Sequence, residues 1–199
     1  LDMAGELAAL GFVYEPSTLN DFHRAAPLGD GSWAYIAWSD AVRNQTAPIC
    51  ETWQIRQTTS PDALYTSDNT TFLSDLTALP DGSLLFLKWN GCRETRDMVV
   101  ELLRLMPGHV PVEITGDIDP GTMDDANAIS GSHARKYAVT PDGRYVFWIG
   151  WGDVEGVSLL NVTDLDEGIT APLLADLVLP EGGGRFAGVY WIPPPVEGG

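Results

Sequence analysis

Leu79-Pro80-Asp81-Gly82-Ser83-Leu84-Leu85-Phe86-Leu87-Lys88-Trp89 decides the fold, because it joins a tight turn to an apolar, aromatic run. Proline presets φ at the second position of a turn, and Asp-Gly supplies the positive-φ residues expected of a tight hairpin. Two antiparallel strands are therefore expected to meet here. The run after the turn lacks simple alternation, as a strand packed on both faces does.

The pattern recurs on either side. Upstream stands Pro27-Leu28-Gly29-Asp30-Gly31-Ser32-Trp33-Ala34-Tyr35-Ile36-Ala37-Trp38, and downstream Thr140-Pro141-Asp142-Gly143-Arg144-Tyr145-Val146-Phe147-Trp148-Ile149-Gly150-Trp151. Aligned on the turn residues Asp30 and Gly31, Asp81 and Gly82, and Asp142 and Gly143, the copies make Tyr35, Phe86 and Phe147 equivalent, and Trp38 equivalent to Trp89. The glycine separations are 51 and 61 residues, room for a four-stranded unit with loop insertions.

Working outward, the first unit pairs residues 34–38 with 49–57 and adds a weak outer strand at 63–66. The second runs through 72–79, 84–89, 98–106 and 112–115. The third runs through 133–139, 145–150, 157–162 and 173–179, and a further strand is expected at 185–192 after the Gly182-Gly183-Gly184 hinge. Residues 98–106 also fit a helical period, and their place in the repeat favours a strand. Residues 1–10 hold good helix formers before Gly11, so 1–20 reads as a cap or linker with a short helix. Residues 193–199 form a Pro/Gly tail.

The Pro-Asp-Gly turn leading into an aromatic strand resembles the blade repeat of TolB-like and WD-repeat β-propellers, over residues 21–192. The resemblance implies an all-β fold, a partial or oligomer-completed β-propeller with about three four-stranded blades (21–68, 69–117 and 129–180) plus an extra C-terminal strand. A closed propeller usually needs four or more blades. An open arc leaves apolar faces and strand edges to be covered by more of the same polypeptide, by a second copy, by continuous polymer assembly, or by local closure with the N-terminal segment.

Over its 199 residues the chain carries 28 acidic and 11 basic residues, a formal net charge of -17. That field repels phosphate backbones and anionic lipid, so nucleic acid and membrane surfaces are disfavoured partners, while cations, basic partners or simple solubility through a solvated acidic surface remain open. No apolar stretch reaches the length of a membrane-spanning helix. The sequence begins at Leu1 rather than Met, as a mature chain after cleavage or an internal fragment does. Three of its six asparagines, Asn44, Asn69 and Asn161, open Asn-x-Thr sequons, which either mark a secreted or extracellular glycoprotein or arise by chance.

Chemistry is sought in loops, where propellers carry their function. The acidic loop bearing Asp117, Asp119, Asp124 and Asp125 offers alternate carboxylates to calcium, with a solvated turn as the alternative; EF-hand spacing is absent. No other cofactor is implied. Cys50 and Cys92 fall near one hairpin end of adjacent units and form either an inter-blade disulfide or two separate buried thiols. His23, His109 and His133 each stand alone, and there is no GxSxG, HExxH, P-loop or GxGxxG element, so catalysis has no motif support. Most of the seven tryptophans fall in predicted strands. Trp151, beside Gly152-Asp153, is the one placed to stack on a carbohydrate.

The expected function is a non-catalytic extracellular binding or assembly module with a protein partner or a second copy of itself. A fragment of a propeller enzyme or ligand sensor, and a carbohydrate-binding lectin, are the alternatives.

Overall fold

A computed structural model describes residues 25–38, 52–68, 70–90, 99–118, 136–151 and 158–174. These form twelve strands and, among the described residues, no helix. The first sheet consists of β1 (Ala25–Pro27), β2 (Trp33–Trp38), β3 (Trp53–Gln57) and β4 (Ala63–Thr66), paired in chain order. The second consists of β5 (Thr71–Ala78), β6 (Leu84–Asn90), β7 (Val99–Leu105) and β8 (Val112–Ile118), and the third of β9 (Tyr137–Val139), β10 (Tyr145–Trp151), β11 (Ser158–Asp164) and β12 (Ile169–Leu174). All pairs are antiparallel. The second and third sheets touch edgewise at one residue pair, Ile118 with Gly150. Gly150 occupies the repeat position filled by Trp38 and Trp89.

The sheets are held together by two apolar cores, one on each face of the second sheet. Successive side chains on a strand point to opposite faces, and β6 uses both. Leu84 and Phe86 join Ala26, Ala34, Ile36, Trp53 and Ile55 of the first sheet. Leu85, Leu87 and Trp89 join Tyr137, Val146 and Trp148 of the third. Leu85, Phe86 and Leu87 are wholly buried, and full burial of such a side chain stabilises by about 1.5–3 kcal/mol. β7 divides in the same way, with Leu103 and Leu105 facing the first sheet and Val100 and Leu102 the third. By contrast β2 alternates, since Ala34 and Ile36 are buried and Trp33, Tyr35 and Ala37 only half-buried.

Each hairpin turn has the same centre. The amide of Gly31 donates to the Leu28 carbonyl, that of Gly82 to Leu79, and that of Gly143 to Thr140, at 3.1, 3.0 and 2.8 Å. Only the glycines take positive φ, at 84°, 83° and 76°. The aspartates therefore do not supply a second positive-φ residue as expected. Each instead accepts, through Oδ1, the amide of the residue two positions on: Ser32, Ser83 or Arg144. This is the three-residue hairpin loop with a left-handed glycine, not the two-residue form. The third turn is one residue longer. Thr140 and Tyr145 close it, where Leu28 with Ser32 and Leu79 with Ser83 close the others, and the Thr140 hydroxyl accepts the Tyr145 amide at 3.0 Å.

Of residues 98–106, Val99–Leu105 form the strand β7, in place of the helical alternative. β1 was not foreseen, being only three residues long, and the third sheet's outer strand lies earlier than residues 173–179 because the tight turn of residues 165–168 returns the chain at Ile169. The expected helix at 1–10, the strand at 185–192 and the tail at 193–199 lie outside the described residues.

Candidate functional site

All three hairpin turns lie at one end of the sheets, together with the β7–β8 turn, and they surround an open cleft of about 930 Å³. The turns hold it in shape by direct packing. A Cβ on Gly143 would stand 2.6 Å from Cδ of Pro80, so the third turn rests against the second with no space for a side chain. The floor is apolar, formed by Leu79, Leu84 and Leu105 at 6%, 3% and 4% exposure. On the rim, Leu64 and Met106 are exposed, and Pro27, Pro80, Pro107 and Pro141 add rigid apolar surface.

Two carboxylates line the cleft, Asp30 and Asp81, and no charged side chain besides them does so among the described residues. They sit at the same place in their repeats but differ in electrostatics. Around Asp81, burial works to raise the pKa, but the Ser83 hydroxyl and amide and the Arg104 guanidinium outweigh it and hold the carboxyl below the usual range. Arg104 reaches Asp81 at 2.6 Å, the Ser83 hydroxyl at 3.1 Å and the carbonyl of Leu165 in the third sheet at 3.4 Å.

Asp30 is held below the usual carboxylate range chiefly by the Ser32 hydroxyl and amide, with its own backbone amide adding to them, and by no cation among the described residues. Gln57 stands where the second sheet has Arg104: in the strand registers Ala34 faces Gln57 and Leu85 faces Arg104. The Gln57 amide donates to the Ser32 hydroxyl at 2.8 Å and to Asp30 Oδ2 at 3.3 Å, without neutralising it. In the third sheet Val146 faces Thr163, and the local cation is Arg144, paired with Asp164 at 2.8 Å. The Thr140 hydroxyl and the Arg144 amide hold Asp142 low in turn.

The turn residues singled out as architecture thus also build the cleft: Asp30, Asp81 and Gly82 line it, with Gly143 packed behind Pro80. Its apolar half, Leu64, Leu105 and Met106, was not identified from the sequence. The missed signal was Met106-Pro107-Gly108, a second turn at the same end of the repeat, with Gly108 at φ 74°.

Most of the other expected site residues lie outside the described residues. Asp117 lies in β8, while Asp119, Asp124 and Asp125 fall outside the described residues, among which no group of three or more His, Cys, Asp or Glu could hold a metal ion. Cys50, Cys92, Asn44 and Asn69 also lie outside them. Trp151 ends β10, paired with Ser158. Asn161 is 8% exposed in β11, opposite Trp148, and Thr163 of its sequon is 3% exposed and accepts the Trp148 indole N–H at 2.9 Å. A glycan on Asn161 would have to displace that pairing. Trp89 and Trp148 are core residues, as their strand positions imply, and Trp53 joins them, whereas Trp33, also expected in the core, is half-buried.

Among the described residues no helix is long and apolar enough to cross a membrane. Compared with protein-family models and with curated proteins, the chain matches none.

Proposed function

We propose that this chain is a binding module built from propeller-type blades, with the cleft at the turn end as its contact surface. The observation that carries this reading is the cleft itself: an open, mainly apolar recess to which all three repeats contribute. Binding sites of this character combine apolar walls with a few fixed polar groups, and Asp30 and Asp81 are fixed by their own turns. The stacking of three equivalent sheets through apolar faces supports the likeness to TolB-like and WD-repeat propellers. Three blades make an arc rather than a ring, so the same proposal includes completion of the array by further sheets, in the same polypeptide or a second copy, in an extracellular setting.

The test is titration with the neutral apolar dye Nile red. Wild-type protein is expected to enhance its emission saturably, and the double variant Leu64→Glu/Met106→Glu, with an unchanged circular dichroism spectrum, is expected to abolish the enhancement. No saturable signal from wild type, or an equal signal from the folded variant, would contradict the reading.

A further inference from the structure

Comparison of the repeats singles out Asp30. The second sheet answers its turn aspartate with Arg104, whereas the first offers neutral Gln57 at the matching register. Among the described residues no cation lies within ion-pair distance of Asp30, although its carboxylate is on the rim of an apolar cleft. With Arg104 cancelling Asp81, the described part of the lining carries one uncompensated negative charge beside Leu64, Leu79 and Met106. The long-range field has the same sign, at a formal net charge of -17, and so attracts a basic partner to the cleft and disfavours a second copy of this chain as its occupant.

Resting on the binding reading above, we propose that the cleft docks a short extended segment of a basic partner protein, its apolar side chains on the leucine floor and a Lys or Arg on Asp30. The prolines of the rim suit such an occupant, because turns that are already rigid lose little entropy on binding. Gln57 sets the preference, since arginine at that register would satisfy Asp30 internally, as Arg104 satisfies Asp81.

The experiment is fluorescence anisotropy with a labelled peptide alternating leucine and lysine, set against counterparts with serine for leucine and glutamate for lysine. The Leu/Lys peptide is expected to bind, the others not. Asp30→Asn keeps the acceptor oxygen that the Ser32 amide needs, and Gln57→Arg supplies an internal cation; each is expected to weaken binding about fivefold, the upper range for one exposed ion pair. Equal binding by wild type and both variants, or by the Ser/Lys peptide, would overturn the proposal, the latter revealing only adsorption to an acidic surface. Peptide failure alongside saturable Nile red binding would sink this inference and leave the binding reading standing.

Discussion

The hydroxyl of Tyr137, on the edge strand β9 of the third sheet, donates to the main-chain carbonyl of Asp75 in the second. Asp75 occupies a bulge in β5, where the register slips between Ser74 and Thr77, and its φ of 54° is the one positive value off glycine among the described residues. The Thr77 hydroxyl and the Leu85 carbonyl lie 3.0 and 3.1 Å from the same oxygen. On the other side of the bulge the Trp89 indole N–H donates to Ser74, whose hydroxyl donates to the Asp75 carboxylate. A left-handed, non-glycine residue is thus fixed from both sheets.

Tyr137→Phe keeps the ring in its core and removes the donor. The bond is part-buried, so urea unfolding is expected to show a loss of about 1 kcal/mol, the net worth of one such hydrogen bond. An unchanged midpoint would mean that the hydroxyl contributes nothing to the joint between the two sheets.

Gly31→Ala and Gly143→Ala separate backbone strain from contact. Both glycines are left-handed, which costs an alanine about 1–2 kcal/mol, but a Cβ on Gly31 meets open space and one on Gly143 meets Pro80. Gly143→Ala is expected to lower the unfolding midpoint clearly more than Gly31→Ala. Equal losses would show that the second and third turns do not touch.

Asp81 makes stability depend on pH in a stated direction. Its folded pKa is depressed, so its contribution is fully present above the unfolded value of about 3.9 and fades as pH falls through the folded value. Protonation also relieves the repulsion of an acidic chain, so the informative quantity is a difference. Asp81→Asn is expected to be less stable than wild type at pH 6, with the gap closing toward pH 3. A gap that is constant across this range would contradict the role given to the charge.

Asn161 is expected to carry no glycan when the protein is made through a secretory pathway, because its side chain is buried opposite Trp148. Glycopeptide mapping checks this site directly, and high occupancy at Asn161 would place β11 in a different setting.

The repeat was legible because its signals are local. Pro-Asp-Gly fixes a turn within four residues, and the both-faces burial of β6 is already written in the unbroken run Leu84–Leu87. What stayed hidden depends on contacts far apart in sequence. β1 carries no strand-forming run beyond Ala25 and Ala26, and is held by pairing with Tyr35 and Ala34. The Asp75 bulge answers to Tyr137, sixty-odd positions away. The cleft was half-visible, since its turn residues belong to the motif, while Leu64 and Met106 enter only through the way the sheets stack.

The account rests on β6 being enclosed between two other sheets. Nuclear Overhauser contacts test this most directly, because neighbouring residues of one strand face opposite ways. The account predicts contacts from Phe86 to Tyr65, whose rings lie 5.5 Å apart between centroids, and from Leu85 to Tyr137, in one sample. Absence of either set from a folded, fully assigned chain would contradict it.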